Sequence, residues 1–152
     1  MQRQPTVYMA GQAAKAAGVA YHRLNYWATT GIVVPSVAEG KGYAGVRAYS
    51  FADVVALKVA ARMKASGFPI RTLQNLVTAV QQWDEESPKT YFVGDEKGSV
   101  AAFDEAGAFT ALQQKDLKGL TWFVNISDIV QEVKSRLESL SQPMRGKSLR
   151  TA

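Results

Sequence analysis

Three residues with hydrogen-bonding side chains, Tyr21, His22 and Arg23, stand in a row just after a glycine at position 18. They open a stretch, Ala20 to Thr30, whose helical pattern carries Leu24 and Trp27 inside. Residues at the start of such a helix meet base edges when the helix lies in the major groove of duplex DNA. An arginine there pairs with O6 and N7 of guanine, and a histidine donates or accepts. Arg23 and His22 are therefore candidates for base reading. The alternative for His22 is a solvated helix residue; for Arg23 it is an exposed side chain or a phosphate contact. Leu24 and Trp27, three residues apart, face the core.

A second group sits on a glycine-rich stretch. Glu39-Gly40-Lys41-Gly42-Tyr43-Ala44-Gly45 places three glycines in seven residues, which no stable helix tolerates. It lies between Ile32-Val33-Val34 and Val46-Arg47-Ala48-Tyr49, so a hairpin with a flexible tip is expected there. Glycines let such a tip approach phosphates closely, and Lys41 and Arg47 neutralise them. Lys58 and Arg62, four residues apart, read as one solvated helix face.

The placement of charge agrees with a polyanionic partner. Residues 1–83 carry nine bases and two acids, a net of +7, whereas residues 84–141 carry −5 and residues 142–152 carry +3. A basic half joined to an acidic one points to a nucleic-acid-binding module fused to something else. The chain has no cysteine and one histidine. Thiolate zinc sites, iron–sulfur clusters and cysteine nucleophiles are therefore excluded, and a His-rich metal centre or a Ser-His-Asp triad is remote. The carboxylates at 84–86, 95–96 and 104–105 adjoin in loops and form no general acid–base pair. With no cofactor motif either, no cofactor, no metal and no enzyme are expected. No apolar run approaches the roughly 20 residues of a membrane span. Met1 to Pro5 is not followed by an apolar signal core, so a cytoplasmic protein with no membrane partner is expected.

The elements that must position these residues are legible in outline. An alanine-rich helix over Gly11 to Ala17, a turn at Gly18 and a helix over Ala20 to Thr30 make a helix-turn-helix. Ser50 and Asp53 form a capping box for a helix running to about Ser66, with Phe51, Val54, Val55, Leu57 and Met63 inward. Gly67 stops it, and Pro69 suits the first residue of the next helix. In that helix Ile70, Leu73, Leu76, Val77, Val80 and Trp83 form an amphipathic stripe. Asp84 to Pro88 breaks the pattern. Beyond it Tyr91-Phe92-Val93 and Val100 to Phe103 read as a hairpin, and Asp104 caps a helix to about Gln114. A turn follows at Lys118-Gly119, then a strand over Leu120 to Val124 and a helix capped by Asn125 or Ser127. Its apolar positions Ile126, Val130, Val133, Leu137 and Leu140 pack on its own sheet or, as the alternative, form a dimer seam.

The first 80 residues resemble the winged helix-turn-helix domain of the MerR family of bacterial transcription regulators. Ala13-Ala14-Lys15-Ala16-Ala17-Gly18-Val19 matches the first helix and turn. Leu24-Asn25-Tyr26-Trp27 and Gly31-Ile32-Val33-Val34-Pro35 match the recognition helix and its exit. Arg47-Ala48-Tyr49-Ser50 resembles the end of the first wing, and Gly67-Phe68-Pro69-Ile70 the start of the second. Tyr21 to Ser36 is similar to a subgroup with a Leu-Asp-Tyr-Trp-Ala-Arg-Thr-Gly pattern, from which Asn25 and Thr29 depart. Residues 90–140 resemble the small C-terminal domain of that subgroup. The resemblance adds Lys15, Tyr26, Tyr49 and Arg71 to Tyr21, His22, Arg23, Lys41 and Arg47 as DNA contacts.

The expected fold class is α+β. Residues 1–83 are a winged helix-turn-helix domain, 84–89 a linker, 90–141 a small ββαβα domain for dimerisation or effector binding, and 142–152 a flexible basic tail. The resemblance implies a homodimer that binds and distorts a pseudo-palindrome in double-stranded promoter DNA, with RNA polymerase as partner and room for a small-molecule effector. The alternative is a DNA-bending accessory factor, of the excisionase or antitoxin kind, that does not act through polymerase. The family's long dimerisation helix is replaced by Asp84-Glu85-Glu86-Ser87-Pro88, so pairing falls to residues 90–141 or is weak.

Overall fold

A computed structural model describes residues 6–40, 46–113 and 120–141. Lys41 with the glycine-rich tip, the turn at Lys118-Gly119 and the tail 142–152 lie outside those residues. The elements run β1 (Tyr8–Met9), α1 (Ala10–Ala17), α2 (Tyr21–Thr30), β2 (Ala38–Glu39), β3 (Arg47–Tyr49), α3 (Phe51–Ala65), α4 (Ile70–Gln81), β4 (Tyr91–Asp95), β5 (Val100–Phe103), α5 (Glu105–Gln113), β6 (Leu120–Asn125) and α6 (Ser127–Ser141).

Local signals set most boundaries. Gly18 takes φ 69°, and its N–H closes α1 on the carbonyls of Ala14 and Lys15. This left-handed residue turns the chain sharply into α2. The capping box of α3 forms as the sequence predicts: Ser50 Oγ accepts from the Asp53 N–H at 3.0 Å, and the Ser50 N–H donates to Asp53 Oδ2 at 2.9 Å. Asn125 Oδ1 accepts from the Ser127 N–H at 3.0 Å ahead of α6. Asp104 Oδ1 accepts from the Gly107 N–H at 2.7 Å in the first turn of α5.

The hairpin differs from its expectation. Val33 is not in a strand; β3 pairs antiparallel with β2 on one side and with β1 on the other, in the order β1-β3-β2. The reason lies at the end of α2. Gly31 takes φ 82°, and the N–H groups of Ile32 and Val33 both donate to the Trp27 carbonyl. Their donors are spent on closing the helix, and Pro35 has none. Ile32 and Val33 are buried instead, so burial overrides their β-branched preference. The two-residue β1 is absent from the sequence expectation because Tyr8–Met9 is too short to show alternation.

The second sheet has the antiparallel order β5-β4-β6, with a register shift at Gly94/Asp95. α6 does not pack on this sheet alone, as its spacing suggests; it packs against α1 and α3. Lys58 Nζ on α3 meets Glu132 Oε2 on α6 at 2.5 Å, and Arg62 Nη2 meets Glu132 Oε1 at 3.2 Å. Arg136 Nη1 donates to the Lys15 carbonyl at 3.3 Å. Ala13, Ala14, Ala16 and Ala17 are all buried, so α1 offers the small side chains that let α3 and α6 come close. Val54, Val55, Ala56, Leu57, Val59 and Ala60 fill the whole circumference of α3 with buried apolar groups. A helix apolar all round is covered on every side. One apolar core therefore runs from Ala13 through α3 and α4 to Leu137, and residues 84–89 connect two parts that share it.

Among the described residues no helix is long and apolar enough to cross a membrane, and no group of three or more His, Asp or Glu is placed to hold a metal ion.

Candidate nucleic-acid interface

α2 presents one buried and one open side. Leu24 and Trp27 are buried among α1, α3 and the exit loop, as expected. Tyr21, His22, Arg23 and Tyr26 face outward, Tyr26 at 62% exposure. Arg23 lies over the Trp27 ring, 5.7 Å from its centroid, so a fixed aromatic face braces a mobile cation. Thr29 and Thr30 hydroxyls donate back to the Asn25 and Tyr26 carbonyls, which ties them to the helix rather than to solvent.

A polar link ties the hairpin to α2. Arg47 Nη1 donates to Asn25 Oδ1, reaching from β3 to the middle of α2. Arg47 is half-buried, and its Nε is fully buried with no hydrogen-bond partner among the described residues. Arg47 is thus a strut between β3 and the helix as well as a positive charge. Asn25, a departure from the pattern that the sequence resembles, is the acceptor that sequence reading missed. A short polar side chain on the same face as Tyr21 was the only available signal.

Tyr49 is corrected. It is fully buried beside Arg47 and Asp53, and its hydroxyl has no hydrogen-bond partner among the described residues. Burial pushes its phenol up to about 12, so it stays protonated. A side chain sealed in the core contacts no external ligand; Arg47, on the same face of β3, is half-buried and reaches α2.

A buried carboxylate holds the framework behind this surface. Asp53 is fully buried, yet it accepts from the Ser36 N–H at 2.7 Å, Ser36 Oγ at 2.8 Å, the Ser50 N–H at 2.9 Å and Gln81 Nε2 at 3.0 Å. Gln81 Nε2 also donates to the Val34 carbonyl at 2.8 Å. The exit of α2, the start of α3 and the end of α4 meet at this one side chain. The cap motif foretold only the Ser50 contacts.

Arg71 is exposed in the first turn of α4. Gln74, one turn on, donates through Nε2 to the Gly31 carbonyl at 3.3 Å, so the start of α4 flanks the end of α2. Lys15 is exposed beside α6, whose Arg136 reaches its carbonyl. Lys58 and Arg62 are not a free solvated face, because Glu132 engages both. With Asp53 buried, Glu39 is the one acid that residues 6–83 leave at the surface.

Residues 8–80 match the family model described as MerR HTH family regulatory protein. That description names a family of regulators and no enzyme class. Proteins named as uncharacterized HTH-type transcriptional regulators of Mycobacterium bovis and Mycobacterium tuberculosis are each 35% identical over 75 residues, 49% of this chain and 33% of theirs. The chain spans about a third of the length of these curated relatives.

Proposed function

We propose, from the premise that residues 8–80 are a MerR-type helix-turn-helix domain, that the chain is a transcription regulator that binds duplex promoter DNA. In this reading α2 enters the major groove, with Arg23 and His22 at base edges and Tyr21 and Tyr26 beside them. Arg47 and Lys41 on the hairpin, Arg71 at the start of α4 and Lys15 meet the backbone, which fixes register without reading sequence. The observation that carries the reading is the link between Arg47 and Asn25. It sets a basic hairpin at a fixed angle to the open face of α2, as a module with one helix and one flanking wing requires.

A pseudo-palindrome requires a two-fold protein. Ile129, Val130, Val133 and Leu137 of α6 are buried, and the helix packs against α1 and α3, so pairing falls to α5 and the second sheet. On α5 Phe109 is 63% and Leu112 47% exposed, and on the sheet Phe123 lies tilted beside Tyr91 with ring centroids 5.7 Å apart. The dimer bends its site, and RNA polymerase reads the altered promoter spacing.

Genome-wide mapping of bound DNA in the native host tests this, with sedimentation of the full chain on a recovered site to count protomers. Sites that overlap promoters and bind two protomers support the reading. Sites confined to recombination regions favour the accessory factor instead, and absence of enriched sites overturns DNA binding as the function.

A further inference from the structure

A cavity lies among the described residues where the turn between α3 and α4 faces the β4–β5 turn and β6. Its volume is ≈ 830 Å³, within the range of small-molecule sites. Its apolar wall is a pair of rings, Phe68 and Trp122, with centroids 6.0 Å apart at 54°. Trp122 lies flat on Gly94: a Cβ there would stand 2.1 Å from the indole. The missing side chain at Gly94 is what seats the ring against the sheet and leaves the space before it open.

Polar groups of both signs surround these rings. Arg71 and Asn75 come from α4, and Lys97 and Glu96 from the β4–β5 turn. The neighbouring Asp95 is occupied, since its Oδ1 accepts from the N–H groups of Lys97 and Ser99, each at 2.9 Å. Arg71, Asn75, Lys97 and Glu96 make no side-chain hydrogen bond or ion pair with the described residues. A structural ion-pair network would join Arg71 or Lys97 to Glu96. Here the charges stand apart around one aromatic wall.

We propose that this cavity binds a small aromatic carboxylate, with an amino group on the same ligand as a further anchor. The ring lies against Phe68 and Trp122. The carboxylate takes the donors of Arg71, Lys97 and Asn75, and an ammonium pairs with Glu96. Arg71 is also among the bases that the proposed function assigns to the DNA backbone, so ligand and phosphate compete for one guanidinium. Occupancy lowers DNA affinity, and by reciprocity DNA lowers ligand affinity. This coupling rests on the proposed function; the site itself does not.

The test uses the full chain and three probes with one skeleton: L-phenylalanine, 3-phenylpropionate and phenethylamine. Two-dimensional NMR follows the indole N–H signals of the three tryptophans, of which Trp27 and Trp83 are buried in the core. L-Phenylalanine and 3-phenylpropionate should shift the Trp122 signal saturably, with Kd of about 1 mM or tighter, and leave the other two in place. Phenethylamine, lacking the carboxylate, should bind at least tenfold more weakly, about the worth of one charge-assisted hydrogen bond. Arg71→Gln and Lys97→Gln, both at exposed positions, should each weaken the carboxylate probes by about tenfold, with Arg71→Lys recovering part. No saturable shift at Trp122, equal binding of phenethylamine, or Gln variants that bind as well as the parent would overturn the site. If the probes bind but labelled duplex DNA binds equally with and without them, the coupling is overturned and the site stands. If no duplex binds even without probe, it is the proposed function that fails.

Discussion

Arg47 reaches across from β3 to Asn25 on α2, and this hydrogen bond joins the hairpin to the helix that carries Tyr21, His22 and Arg23. Removing the two partners should have different effects. If Arg47 meets a phosphate as proposed, Arg47→Ala removes that charge and the strut together, so affinity should fall for all duplex sequences and the slope of log affinity against log salt should flatten by about 1. Asn25→Ala leaves the charge but frees the guanidinium, so affinity should fall while the slope is unchanged. Salt titrations of both variants decide this. An unchanged slope in Arg47→Ala removes it from the backbone contacts.

Arg23, braced on Trp27, is assigned to a base edge. Arg23→Ala should cost ~1–3 kcal/mol at the cognate site and relax preference at one base position. Competition against a library of site variants measures it. Equal losses on cognate and random DNA would make Arg23 a phosphate contact.

Asp53 joins three segments through four hydrogen bonds. Asp53→Asn keeps the shape but turns an amide donor toward N–H groups that need an acceptor. A loss of about 2–4 kcal/mol in unfolding free energy is expected, read from the urea midpoint. A variant as stable as the parent would show that Ser36 and Gln81 find other acceptors.

Glu132 binds α6 to α3. Its hydrogen bond with Lys58, with the charges of Lys58 and Arg62, holds its carboxyl below the usual carboxylate value. A group whose pKa is lowered by folding stabilises the fold above its unfolded value, and that share is lost as pH falls through the folded one. Parent and Glu132→Gln should therefore differ in melting temperature at neutral pH and converge in acid. The difference should be small, because the pair is partly exposed. A gap that persists unchanged at low pH would assign the effect to packing.

The sequence was most informative where one local interaction decides the outcome. The Ser50–Asp53 box and the left-handed Gly18 are read from residue type alone, because each satisfies backbone groups within a few positions. It was least informative where distant segments compete. Val33 has strand chemistry, yet the Trp27 carbonyl and the core claim it. Tyr49 has a hydroxyl suited to a phosphate, yet it lies at the end of β3 that enters the core and is sealed inside. The packing of α6 on α1 and α3 had a signal that amphipathic reading passes over: α3 is apolar on every face and so needs more than one partner. Asn25 could not be placed at all from sequence, since its partner Arg47 lies 22 residues on and nothing in the spacing pairs them.

The central claim is that the surface of α2, the hairpin and the start of α4 binds duplex DNA. Fluorescence anisotropy of a labelled duplex, titrated with the full chain across a range of salt, tests it most directly. With Lys15, Lys41, Arg47 and Arg71 on phosphates, the slope of log affinity against log salt should be about −4 per protomer. Absence of saturable binding at low salt, or binding with a slope near zero, would contradict the account.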